Sequence, residues 1–111
     1  MLETRCWKIR LKPDSLDRVR EWARTINSRM DEALEALRDE GVVIESVFLD
    51  RTEHGDFLIG YMKAESFDKA AEAVRKAVRA IDEYHQQFKR DAWDERSELE
   101  LLIDIDRIRE V

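Results

Sequence analysis

One cysteine, one proline and three glycines in 111 residues leave few places where this chain can be cross-linked or broken. Cys6 has no partner for an internal disulfide, which excludes the small secreted scaffolds that depend on such bonds. As a nucleophile it has no neighbouring His or motif to activate it, so it reads as a small strand residue. The scarcity of Gly and Pro excludes flexible linkers and low-complexity tracts, and the length suits one core, so residues 1–111 are expected to form a single domain. No apolar run is long enough to span a bilayer and no charged and apolar leader precedes the first strand, so a cytoplasmic location is the expectation. With two histidines and one cysteine at no ligand spacing, a dedicated metal site is not expected. Glu53, His54 and Asp56 read as a solvated turn. No cofactor is expected, since neither His is marked as an axial ligand for haem.

Basic residues are also in deficit. Twenty Lys and Arg stand against 26 Asp and Glu, a net charge of −6, which opposes attraction to phosphate backbones and anionic membranes. Nucleic acid and membrane are therefore not expected partners. Gly55-Asp56-Phe57-Leu58-Ile59-Gly60-Tyr61 matches the aromatic pattern of RNA-binding sheets only loosely.

What is present is 43% hydrophobic and 41% charged, the balance of a folded domain with a strongly solvated surface. Residues 41–63 organise it. Val42 to Asp50 is a β-branched and aromatic run, Thr52 to Asp56 supplies a turn, and Phe57 to Lys63 is a second apolar run, so a hairpin is predicted. Both runs are apolar on two faces, with Val43, Val47 and Leu49 opposing Val42, Ile44 and Phe48, so both faces of the sheet are expected to be covered.

Before the hairpin, Glu3 to Lys12 alternates, with Trp7, Ile9 and Leu11 opposite Cys6, Lys8, Arg10 and Lys12. Pro13 ends this strand and Asp14 is placed to cap a helix. The apolar positions from Leu16 to Leu37 predict one long amphipathic helix of about 26 residues, roughly 39 Å, with a kink site at Asn27-Ser28 and a stop at Gly41. After the hairpin, Ser66 is placed to cap a helix reaching Ile81, and Asp82 to cap either its continuation or a separate short helix through Trp93. Asp94 to Ser97 reads as a connection. Leu99, Leu101, Ile103 and Ile105 alternate with Glu98, Glu100 and Asp104 in a last strand interrupted by Leu102. The order is βαββαβ. It predicts the α+β, ferredoxin-like arrangement, a four-stranded antiparallel sheet with both helices on one face. In it Lys8, Arg10 and Lys12 would lie opposite or diagonal to Glu98, Glu100 and Asp104. A second copy is expected to cover the open face, making a homodimer with a barrel-like interior.

The strand TRCWKIRLKPD, the helix start RVREW, the hairpin ESVFLDRTEHGDFLIGYMKAE and the run IDEYHQQFKRDAW resemble a family of small bacterial and archaeal proteins of unknown function in the dimeric α+β barrel superfamily. The resemblance covers nearly the whole chain. It implies a dimer and a small-molecule pocket more strongly than a reaction, because that superfamily includes cofactor-independent monooxygenases, haem-degrading enzymes, mutarotases and isomerases.

His85, three residues after Asp82, is the first candidate for a catalytic acid or base, oriented by that aspartate; a structural helix histidine is the competing reading. Lys8, Arg10 and Tyr61 are candidates to hold an anionic or carbonyl-bearing ligand, with Tyr61 equally readable as core. Glu45, the polar exception in the hairpin, could pair with Arg10 or act as a base if desolvated. Trp7 and Trp22 fall on core stripes. The expected function is therefore that of a homodimeric small-molecule-binding protein, an enzyme or not, with a noncatalytic dimerisation or protein-interaction module as the alternative.

Overall fold

The alternation of Trp7, Ile9 and Leu11 needs an apolar layer on one side of its strand, and four helices supply it. The computed structural model, described over residues 1–108, runs β1 (Glu3–Leu11), α1 (Leu16–Ser28), α2 (Met30–Glu40), β2 (Val42–Thr52), β3 (Gly55–Ala64), α3 (Phe67–Lys76), α4 (Ala80–Ala92) and β4 (Trp93–Glu98). The sheet order is β2-β3-β1-β4 with every pairing antiparallel, which is the ferredoxin-like topology.

Register assigns the faces. Trp7, Ile9 and Leu11 lie across from Gly60, Leu58 and Trp93 and share the helix side with Val47 and Leu49, whereas Cys6, Lys8 and Arg10 share the open side with Tyr61, Ile59, Phe57 and Phe48. Two packed clusters form on the helix side. Ile9, Leu11, Leu58, Val19, Trp22, Phe88 and Ala92 join β1 and β3 to α1 and α4, and Val42, Ala64, Phe67 and Ala70 join the hairpin to α3. Trp7 packs against both. Among the described residues no helix is long and apolar enough to cross a membrane.

Several boundaries differ from the sequence expectation. The predicted long helix is two, because Arg29 leaves helical geometry at φ −120° and ψ 41°. Ser28 donates to the Thr25 carbonyl at 2.8 Å just before the break, the kind of side-chain bond that competes with the helix ladder. Ser15, not Asp14, precedes α1; Asp14 takes φ 61°, and the Ser15 hydroxyl donates to Lys12 O. The break between α3 and α4 falls at residues 77–79, ahead of Asp82, where Ala77 and Arg79 are extended. Arg79 then pins the joint to α2 by ion pairs to Glu35 at 2.8 Å and Asp39 at 2.9 Å. In β2 a bulge between Val42 and Ile44 breaks the assumed parity and turns Val42 to the helix side. The Ser66 cap is present, accepting from the Lys69 amide.

The largest difference is the last strand. β4 occupies Trp93–Glu98, the stretch expected to be a connection and the end of a helix, and the alternating residues after it join no sheet beyond a bond from Leu99 N to Cys6 O. Antiparallel pairing with β1 begins at Leu11 with Trp93, so the edge of β1 is largely used before residue 99 is reached. Among the described residues the expected pairs of Lys8, Arg10 and Lys12 with Glu98, Glu100 and Asp104 do not form. Glu98 lies across from Trp7 and reaches Arg5, and Asp104 binds Thr4 and Lys63.

Candidate functional site

Between the two packed clusters lies a cavity of about 420 Å³, floored by the helix side of the sheet and roofed by α2, α3 and α4. Trp22, Leu58, Met62, Phe67 and Phe88 give it apolar walls, and Glu40, Glu45, Asp82, His85 and Lys89 are its polar groups nearest one another. An apolar pocket with a few convergent polar groups is the usual form of a small-molecule site.

His85 is held by a tryptophan. Trp22 Nε1–H donates to His85 Nδ1 at 3.1 Å, and Trp22 stacks on Phe88 at 4.3 Å between centroids and on the His85 ring at 5.7 Å. An imidazole that accepts at Nδ1 carries its proton at Nε2 when neutral. Burial, reinforced by Lys89, pushes His85 down to about 4, so the neutral form prevails at pH 7. Its Nε2–H has no acceptor among the described residues. His85 is thus built as a hydrogen-bond donor at neutral pH, and its orienting partner is Trp22 where the sequence suggested Asp82.

The group that titrates near neutrality is Glu40, at the end of α2. Burial raises its carboxyl to about 7, with Glu45 and Asp82 adding like-charge repulsion. Glu45 is also raised, by the desolvating groups around it and partly offset by Lys89, although its side chain is open to water along the cavity. Lys89 is lowered by burial and lies 4.9 Å over the Trp93 ring. Trp93 also lines the cavity, and its buried Nε1 has no partner among the described residues. Perturbed acids and bases gathered in a cleft are the electrostatic mark of functional sites.

The sheet divides the sequence-predicted residues. His85 and Glu45 line the cavity. Lys8, Arg10 and Tyr61 lie on the open face, where Lys8 and Arg10 cover the Phe57 ring at 4.4 and 4.9 Å, so Arg10 and Glu45 are on opposite sides and do not pair. Sequence reasoning missed Glu40 and Lys89. The signal was there: Glu40 is three residues beyond the inner-stripe Leu37, and Lys89 is four beyond His85. Among the described residues no three His, Cys, Asp or Glu side chains cluster as a metal site would require.

Glu40 sets a pH dependence of stability. A carboxyl raised by folding contributes nothing unfavourable below its unfolded value of 4.5, and stability is lost as pH rises through about 7. Glu40→Gln should therefore leave stability at pH 4 nearly unchanged and raise it at pH 8 by about 1–2 kcal/mol, after allowance for water in the cavity. Denaturant titrations at the two pH values measure the difference.

The four-stranded antiparallel sheet and its one-sided helical layer define a ferredoxin-like α+β fold. The chain belongs to a family of unknown function, DUF6176, whose model matches residues 2–110. It is similar in fold to a solved structure from Nitrosomonas europaea described provisionally as an antibiotic biosynthesis monooxygenase, with a TM-score of 0.58 and 13% identity over 88% of this chain and 86% of that one. A search of curated proteins finds no match.

Proposed function

We propose that this protein is a homodimer that binds a small, largely apolar molecule bearing a carbonyl or weakly acidic group, and that the cavity transfers a proton to or from it. The observation that carries this reading is the pairing of an unused His85 Nε2–H with a Glu40 carboxyl that titrates at about 7, both lining one apolar cavity. Glu40 as carboxylate would take the proton, because a base whose pKa lies near the working pH is the efficient one. His85 and Lys89 would stabilise negative charge developing on the ligand oxygen. Glu45 would balance Lys89. The Nitrosomonas europaea protein, by its description as a monooxygenase, agrees with a small-molecule site on this fold, although fold alone does not select the chemistry. Lys8, Arg10 and Tyr61 would then belong to the face covered by the second copy.

Thermal-shift screening against apolar ketones, enols and phenols tests the pocket. A ligand at about 100 times its Kd should stabilise the native state by about 2.7 kcal/mol. Val47→Trp, which fills the cavity from β2, should abolish that shift. Failure of every compound, or shifts of equal size in Val47→Trp, would favour the noncatalytic interaction module, which has no use for a titrating cavity.

A further inference from the structure

A lysine held away from water is ordinarily paired, and this chain shows both the rule and its exception. Lys63, buried on the open side of the sheet, meets three oxygens: Thr4 Oγ1 and Asp104 at 2.6 Å each and Asp106 at 2.8 Å. Lys89, half-buried on the helix side, makes no hydrogen bond or ion pair among the described residues. Its nitrogen lies 4.9 Å over the Trp93 ring, and both residues line the apolar cavity. The ring face fixes where the nitrogen sits and offers it no oxygen to bond.

His85 and Lys89 are four residues apart on one face of α4, so the Nε2–H donor and the amine are neighbours along one wall of the cavity. The charged groups facing Lys89 come from three other elements: Glu40 from the end of α2, Glu45 from β2 and Arg96 from β4. Burial and Arg96 lower the amine, the two carboxyls raise it, and the net direction is down. Glu40, itself raised to about 7, is only in part an anion at neutral pH. A desolvated lysine without a fixed anionic partner is the form in which this side chain reacts with carbonyl compounds.

We propose that Lys89 is the nucleophile of this cavity and that the ligand is an aldehyde or ketone held there as an imine. This deepens the proton-transfer reading above, on which it rests: the carbonyl carbon becomes bonded to Lys89, and charge is stabilised through that bond. The Nζ lone pair adds to the carbonyl carbon while the C=O π pair goes to oxygen, towards the His85 Nε2–H. One N–H proton passes to that oxygen, giving a carbinolamine. The protonated Glu40 carboxyl supplies a second proton, the C–O bond breaks, water leaves and an iminium C=N bond forms. The Glu40 carboxylate so produced takes a proton from the carbon beside the iminium, and the C–H electron pair shifts towards nitrogen as an enamine. Return of the proton and addition of water reverse the sequence and free the amine, with no oxidant or reductant consumed.

Acetylacetone at neutral pH tests the proposal, because this diketone and an amine lose water to give a stable enaminone with its own near-ultraviolet band. The parent protein should gain the mass of a single diketone less a single water, the band should appear, and peptide mapping should put the label on Lys89. Lys89→Arg keeps the positive charge and should lose both the band and the mass gain, whereas Lys69→Arg, at an exposed position, should keep both. The map on the parent decides the matter if Lys89→Arg does not fold. A label that maps elsewhere, no adduct in the parent, or an adduct kept by Lys89→Arg overturns the imine. Thermal shifts separate that failure from failure of the cavity reading. If compounds of the screen above still stabilise the parent, the pocket stands and the imine alone falls; no adduct together with no shift overturns both.

Discussion

Phe88→Ala should lower the stability of this domain by about 3–5 kcal/mol, the range for emptying the space of a fully buried phenylalanine. Phe88 is 0% exposed and sits where α4 meets α1 and β3, stacked within 6° of parallel on Trp22. The loss should not stop at packing. Trp22 keeps its indole aimed at His85 because Phe88 stacks against the face of the Trp22 ring, so the substitution frees the Trp22–His85 bond as well. Urea unfolding gives the stability, and the nitrogen NMR shifts of His85 report the second effect: one Nε2–H tautomer in the parent and a mixture of tautomers in Phe88→Ala. A variant that loses less than about 1 kcal/mol would mean that the stack does not organise the core.

The second large effect is acid destabilisation through His85. Folding lowers its pKa from 6.5 to about 4, so its contribution to stability is fully present above 6.5 and is lost as pH falls towards 4. The loss over that interval is about 3 kcal/mol. Glu40 acts in the opposite direction between 4.5 and 7, which flattens the curve of the parent protein. The contribution of His85 is therefore read by difference. His85→Gln keeps an oxygen able to accept from Trp22 but cannot titrate, and its stability relative to the parent should improve by about 3 kcal/mol between pH 7 and pH 4. A constant difference across that range would place the histidine in water.

The fold was largely legible because its strands carry period-two patterns and its helices carry single apolar stripes. Trp7, Ile9 and Leu11 gave the inner face of β1 correctly, and Phe57, Ile59 and Tyr61 fell together on the outer face of β3. The failures have local causes. A bulge at Val43 changed parity within β2, and Arg29 broke a helix in the middle of an uninterrupted apolar stripe. The strongest alternation in the C-terminal part of the chain, Leu99 to Ile105, lies outside the sheet, while the polar stretch WDERSE forms β4. Periodicity reports which face is to be covered and not which chain covers it. Of the cavity residues, His85 and Glu45 stood out as polar exceptions in apolar surroundings. Glu40 and Lys89 were hidden among acidic and basic neighbours on solvated helix faces, and only tertiary packing of α2 against α4 distinguishes them.

A native mass spectrum of freshly purified protein tests the proposed function most directly. Two chains of 13.2 kDa carrying a discrete additional mass, retained by the parent and absent from Val47→Trp, are the expected result. A bare single chain at micromolar concentration would contradict the account, leaving both the cavity and the open face of the sheet without an occupant.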